Sequence, residues 1–209
     1  MPLLSPEQFW AFLAASVLIT MAPGPDNLLV LSLGASRGRR SGLAFGLGCA
    51  TGCLSHTALA ALGVSALIAA SAVAFTALKV AGGAYLIYLG WGALRSSGAR
   101  TLQGSSSEAS AWQLFGKGLV TNAINPKVVI FFLSFLPQFV VPANGHTGWQ
   151  ITQLGLVFAL QAAILFGALG AFAGSIGAWL VKSQRAAQWL DRIAGTVFVA
   201  LGLKLMVSR

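Results

Sequence analysis

The segment Met21-Ala22-Pro23-Gly24-Pro25-Asp26-Asn27 interrupts an apolar run that extends from about Phe9 to Leu33. A membrane-spanning helix needs about 20 mostly apolar residues, and the run has that length. Yet its middle holds two prolines, a carboxyl group and an amide. Proline removes a backbone donor and clashes with the preceding helical turn. In water such a break would be a loop. Inside a bilayer the freed backbone groups need protein, water or ligand as partners. The stretch therefore predicts a spanning helix broken at its centre and facing a polar site.

A second break of the same kind lies further on. Asn125-Pro126-Lys127 falls within an apolar run from about Leu114 to Val140, with Asn122 just before it. The rest of the chain reads as further spans, from about Gly42 to Ala66, Ala74 to Leu94, Thr152 to Leu180 and Leu190 to Met206. A tight turn is expected near Ala69 to Ser71, and a turn at Pro142-Ala143-Asn144-Gly145. The segment Arg95 to Gln113 contains Gly104-Ser105-Ser106-Ser107-Glu108, a flexible-linker composition. The fold expected is an all-α integral membrane protein of six transmembrane helices, the first and fourth broken at proline. The start, Met1 to Trp10, lacks the basic region of a cleavable signal, so the first run is expected to remain as a span.

Composition agrees. Of 209 residues, 56% are hydrophobic and only 8% charged, far from the balance of a soluble domain. The net charge of +9 is spread over the ends of apolar runs rather than gathered in a stripe, which argues against a nucleic-acid surface. Arg37, Arg39, Arg40, Arg95, Arg100, Lys117, Lys182, Arg185 and Arg192 follow spans one, three and five, and they are nine of the 13 basic residues. The positive-inside rule puts those loops in the cytoplasm and both termini in the periplasm. Trp10, Trp91, Trp112, Trp149 and Trp189 sit near span ends, as interfacial aromatics do. Lys79 and Arg192 read as anchors that snorkel to the interface.

The halves resemble each other. Lys79-Val80-Ala81-Gly82-Gly83-Ala84-Tyr85 aligns with Arg192-Ile193-Ala194-Gly195-Thr196-Val197-Phe198, and Ala22 to Asp26 aligns with Ala123 to Lys127. Three spans per copy is odd, so the second copy would enter from the opposite face. The expectation is one transport domain over 1–209 made of two inverted three-helix repeats, about 7–95 and 113–209, joined by a linker at about 96–112.

Paired breaks in the two halves are the sequence's best pointer to a central binding site. The candidates are Pro23, Gly24, Pro25, Asp26 and Asn27 at the first break, and Asn122, Asn125, Pro126 and Lys127 at the second. Asp26 and Lys127 occupy equivalent positions and read either as a structural ion pair or as a substrate or proton site. His56, in the second span, reads as a packing residue or a proton relay. Cys49 and Cys53 share a helix face with His56, but a metal site wants further ligands, so small packing residues are the simpler reading. No resident metal or cofactor is expected. The sequence has two histidines, no phosphate loop and no clustered carboxylates, so no enzyme constellation appears. A thiol–disulfide enzyme would need cysteines in both halves, and the second half has none.

These motifs are similar to those of the LysE/RhtB amino-acid exporters. Met21 to Asn27 resembles the first signature. Asn125-Pro126-Lys127, with Phe131-Phe132 and Leu136-Pro137-Gln138-Phe139, resembles the second, and Ala81 to Leu86 with Gly90-Trp91 resembles the third-span pattern. His56 also falls where the family often has histidine. The resemblance implies secondary export of an amino acid or a close derivative across a bacterial inner membrane, driven by proton entry. On that reading the substrate carboxylate meets Lys127 and its ammonium meets Asp26. The alternative within the same superfamily is a heavy-metal or small-cation exporter using Cys49, Cys53 and His56.

Overall fold

The computed structural model describes residues 4–64, 71–98 and 109–207. The turn expected near Ala69 and most of the linker, including Gly104 to Glu108 and Arg100, lie outside the described residues.

Most of the described residues are helical. The helices are α1 (Pro6–Met21), α2 (Pro25–Arg37), α3 (Arg39–Leu59), α4 (Ala72–Leu94), α5 (Ala111–Ala123), α6 (Pro126–Ile130), α7 (Thr147–Ala171), α8 (Ala173–Lys182) and α9 (Gln184–Val207). α6 continues through a π-helical turn, Phe131–Phe135, into a 3-10 turn, Leu136–Phe139.

The two proline runs are broken as expected: α1 and α2 meet at 59°, and α5 meets the helix that begins at Pro126 at 50°. α3, α4 and α7 are each long and apolar enough to cross a membrane, and each bent pair qualifies if taken as one span. That makes up to five among the described residues. The expected sixth, α9, has 24 residues but carries Arg185, Asp191, Arg192 and Lys204 and is not among the helices that length and composition mark as spans. Leu62, Val73, Leu160, Ile164 and Val207 are among many large apolar side chains left exposed, a surface suited to lipid rather than water.

Both broken runs open with the same device. Ser5 Oγ accepts from Gln8 N while Ser5 N donates to Gln8 Oε1, and Ser110 and Gln113 repeat the exchange at the head of α5. This Ser-x-x-Gln match is a third correspondence between the halves.

Glycine seams hold the bundle. Lipid tails give no hydrophobic drive for helix association, so close backbone packing has to supply it. In α4 and α9, a Cβ on Gly90 would lie 2.7 Å from the Gly195 carbonyl oxygen, and one on Gly83 would lie 2.8 Å from that of Gly202. Numbers rise on one helix as they fall on the other, so the pair is antiparallel. Midway along lie Leu86 and Phe198–Val199, and the repeat alignment equates Leu86 with Val199. α3 and α7 form a second antiparallel seam, in which Gly42 meets Gly170, Gly46 meets Phe166, and Thr57 meets Gly155. α3 and α5 run parallel, with Gly48 against Phe115 and Leu119 and Gly52 against Asn122.

The ends sort as the charge pattern predicts. Arg37 donates to the Ala109 carbonyl at 3.0 Å. Gln184 and Gln188 both donate to the Ser97 carbonyl, at 3.0 and 2.8 Å. The segments that follow spans one, three and five thus meet at one end. At the other end, Gln8 donates to the Phe139 carbonyl at 2.8 Å and to Gln150 Oε1 at 3.2 Å. Lys79 departs from the snorkelling expectation: it is buried, with Nζ 5.6 Å from the centre of the Phe75 ring.

The seam generates a test two residues wide. Gly90 faces a carbonyl, whereas Gly92, on the same helix, has nothing within 4 Å of its Cβ position. Gly90→Ala is expected to destabilise the detergent-solubilised protein by about 1–3 kcal/mol through overpacking. Gly92→Ala is expected to be neutral or to stabilise by up to about 1 kcal/mol through helix propensity. Thermal unfolding followed by tryptophan fluorescence reads both.

Candidate functional site

The first break leaves the carbonyls at the end of α1 without helical partners. Pro23 and Pro25 have no N–H to offer, and the chain between them is extended, with Gly24 at φ −162°. Ala22 N still reaches the Leu18 carbonyl at 3.1 Å. The next carbonyls are taken by side chains. Lys127 Nζ donates to the Ile19 carbonyl at 3.2 Å and to the Ala22 carbonyl at 3.0 Å. Asn27 Nδ2 donates to the Thr20 carbonyl at 2.9 Å. Gln161 Nε2 adds a bond to Thr20 Oγ1 at 2.8 Å. A cation at a helix C-terminus also meets the negative end of the helix dipole. Gly24 leaves room for the lysine rather than supplying a special dihedral: a Cβ there would sit 3.0 Å from Lys127 Nζ, so the lysine tip would have to give by a few tenths of an ångström.

The second break is organised by its asparagines. Asn125 Oδ1 accepts from Lys127 N at 3.0 Å and caps α6, with Pro126 in the first helical position. Asn122, at the end of α5, carries four contacts. Its Nδ2 donates to Asp26 Oδ2 at 2.8 Å. Its Oδ1 accepts from Cys53 Sγ at 3.4 Å. Its backbone oxygen accepts from Asn125 N at 2.9 Å and from His56 Nε2 at 3.0 Å. A carbonyl only accepts, so Nε2 is the ring nitrogen that carries the proton. Phe132 lies against the His56 ring at 5.5 Å, part of a buried cluster with Phe12, Phe131 and Phe158.

Asp26 and Lys127 are therefore close neighbours of one site without a direct ion pair between them. Each serves the opposite half of the chain. Several polar atoms here are buried with no hydrogen-bond partner: Asp26 Oδ1, Asn27 Oδ1, Asn125 Nδ2 and Gln161 Oε1. Buried polar atoms are normally satisfied, so a cluster of exceptions is a feature to explain.

A cavity of about 650 Å³ lies between the breaks. Pro23, Gly24, Pro25, Asn125, Pro126 and Lys127 line it together with Tyr85, Ser96, Asp191 and Phe198. Its size suits a small molecule. Six of the candidate residues thus meet at one wall. Asp26, Asn122 and His56 stand behind that wall as a hydrogen-bonded network, and Asn27 lines a smaller cavity of about 280 Å³ across Pro23. Cys53 and His56 both turn to Asn122, and no group of three metal-ligating side chains gathers among the described residues.

Eight lining residues were not singled out as site residues from the sequence, among them Tyr85, Ser96, Asp191 and Phe198. Tyr85 and Phe198 are the aromatic positions of the repeat alignment, so the signal existed and pointed to the cavity as well as to the repeat. Asp191 precedes Arg192 and reads as part of a topology signal. Ser96 had no signal.

Asn122 is the most connected residue of the site. Asn122→Ala leaves the buried Asp26 carboxyl group with neither oxygen bonded, and a loss of about 3 kcal/mol is expected. Cys53→Ser, which keeps a donor in place, is expected to shift stability far less. Thermal unfolding midpoints in detergent test the contrast.

The family model described as LysE type translocator matches residues 17–209. An uncharacterised membrane protein of Pseudomonas aeruginosa is 34% identical over 100% of this chain and 99% of its own length. The homoserine/homoserine lactone efflux protein of Salmonella typhi is 30% identical over 97% of this chain and 98% of its own. The threonine efflux protein of Escherichia coli K12 is 32% identical over 92% and 94%. No solved structure matches the chain.

Proposed function

Because the chain belongs to the LysE type translocator family, whose members are transporters and not enzymes, we propose that it exports a small, uncharged-side-chain amino acid from the cytoplasm. The relatives named for threonine and homoserine efflux favour a hydroxylated one. The observation that carries the reading is the cavity walled by both proline breaks, with a lysine on its surface and an unpartnered amide beside it.

The chemistry follows from the donors present. Lys127 has three N–H donors, and two are committed to Ile19 and Ala22. The third, with Asn125 Nδ2, can receive a substrate carboxylate. Asp26 keeps one oxygen unpartnered behind the same wall. It is the group to meet the substrate ammonium or a coupling proton when the break rearranges, and Asn122 ties it structurally to His56. Pro23, Gly24 and Pro25 act as the joint, since no helical bond crosses them. Nothing here could hydrolyse ATP, so an ion gradient is the energy source on this reading.

The architecture proposed is six spans in two inverted copies. The α4–α9 seam supports it, because partners related by an axis in the membrane plane must run antiparallel about equivalent positions. The Ser-x-x-Gln caps and the two bent spans fit the same relation. The basic end would face the cytoplasm and both termini the periplasm of a bacterial inner membrane.

The test is efflux of a mixed amino-acid panel from preloaded cells carrying wild type, Asp26→Asn, Lys127→Gln or empty vector. Threonine or homoserine is expected to leave faster with wild type alone, with both variants near the vector rate at equal membrane abundance. If no amino acid leaves faster with wild type than with vector, the exporter reading is wrong. If both variants match wild type, the site assignment is wrong.

A further inference from the structure

A separate cavity, of about 510 Å³, lies between α2 and α5. Its floor is Phe45 of α3, a buried residue whose backbone packs against Gly118 of α5. Among the described lining residues, Arg37 and Lys117 carry charge, both positive, and no acid joins them. The charge gathers at one end. Arg37 is the last residue of α2, and its Nη2 donates across the gap to the Ala109 carbonyl, just before α5, at 3.0 Å. Lys117 stands further along α5, whose N-terminus is at this same basic end. Helical side chains tilt toward their own N-terminus, and a lysine stem is long and flexible, so its ammonium leads toward Arg37. From there the lining turns apolar and runs inward, through Leu33 and Leu29 on one side and Val120 on the other. Arg37 to Leu29 covers about 12 Å at 1.5 Å per residue. One leaflet of hydrocarbon is about 15 Å deep. Val120 is 57% exposed and Leu29 40%, so the groove opens sideways, toward the lipid.

We propose that this groove binds an anionic phospholipid, with the phosphate between Arg37 and Lys117 and one acyl chain along Leu33, Leu29 and Val120. A lipid can enter a bundle in one sense only, head outward and chain inward. The groove has that polarity, with its cations at the basic end and its apolar lining toward the middle of the bundle. A guanidinium has five N–H donors, so the bond to Ala109 leaves part of the fork for a phosphate. Basic pockets between spanning helices suit acidic headgroups. A soluble anion would use the two cations but none of the apolar length. The position of the groove gives the lipid a consequence. α2 and α5 are the arms of the two broken spans that reach the basic end, and Leu29 lines both this groove and the cavity at the breaks. A lipid seated here braces the two arms against each other. The proposal does not draw on the exporter reading, and its test reads binding rather than transport.

The probe is dioleoyl phosphatidylglycerol, added to the purified, delipidated protein in an uncharged detergent, with the thermal unfolding midpoint as readout. A ligand that binds only the folded state raises that midpoint with its concentration. Dioleoyl phosphatidylethanolamine, with the same chains and no net charge, and inorganic phosphate are the comparisons. Phosphatidylglycerol is expected to raise the midpoint, phosphatidylethanolamine much less and phosphate not at all. Lys117→Gln should need about fivefold more phosphatidylglycerol for the same rise, the worth of one basic residue at an anionic lipid. Arg39→Gln removes an exposed base that does not line the groove and should respond as wild type. Gly116 lines the groove with nothing within 4 Å of its Cβ position, so Gly116→Leu keeps both cations and fills the space. It should lose the response. Equal rises with the two lipids overturn the proposal, as does a rise with phosphate that matches phosphatidylglycerol, which would make this a site for free anions. If Arg39→Gln loses as much as Lys117→Gln, the lipid is held by the general charge of this end and the groove is not its site. A wild-type response in Gly116→Leu also overturns it. Should Lys117→Gln not survive purification, Gly116→Leu decides alone, since its charges are intact.

Discussion

In lipid, a helix cannot break without something else satisfying the backbone it releases. That constraint organises this structure. The end of α1 frees the carbonyls of Ile19, Thr20 and Ala22, and side chains collect them: Lys127 from the second half, and Asn27 from beyond the break. The end of α5 frees the Asn122 carbonyl, and His56 from the first half collects it. Each half completes the other's broken helix. The cavity sits where it does because these two repairs meet there. The burial of a lysine and the density of asparagine around the breaks are consequences of the same requirement.

The glycine seams do the complementary job. The α4–α9 pair presents Tyr85 and Phe198 to the cavity from helices whose backbones touch, so that wall is held by direct packing. The opposite wall, made by the breaks, is held by long side chains to carbonyls. Hydrogen bonds from a lysine can be exchanged for others at modest net cost, whereas a seam in which a methyl group would collide with a carbonyl has no slack. The molecule therefore pairs a stiff wall with an adjustable one around the same space.

Much of this was legible in the sequence. The apolar runs, the bends at Pro23–Pro25 and Pro126, and the gathering of basic segments at one end follow from hydropathy, proline chemistry and charge count, which act locally. The charged pair was less legible. Equivalent positions and opposite signs made Asp26 and Lys127 natural partners, but a lysine stem reaches as easily to carbonyls, and sequence does not show which carbonyls a break will free. Asn122 drew notice only as a polar neighbour, because its backbone oxygen and both side-chain ends act at once. Lys79 was read as an anchor, yet it is buried beside Phe75. Asp191 was masked by Arg192: next to a base at a helix head, an acid looks like surface. The sixth span was expected from its apolar run, and α9 has the length, but it carries four charged residues along it.

That Asp26 and Lys127 do not bind each other bears on what the site can do. A buried ion pair with ideal geometry satisfies both charges, and a ligand would then have to compete with it. Here the cation is held by two carbonyls and the acid by one amide, so each is tethered while keeping unfilled hydrogen-bonding capacity. A ligand with one charge of each sign could use that capacity without first breaking a salt bridge. The same tethers tie each charge to the other half's broken helix. Anything that draws Lys127 toward a carboxylate also loosens the end of α1, and anything that draws Asp26 away strains Asn122 and, through it, the end of α5. Ligands shift a conformational equilibrium only by their difference in affinity for its states. This arrangement gives a zwitterion such a difference, because the groups that would hold it are the groups that hold the breaks closed.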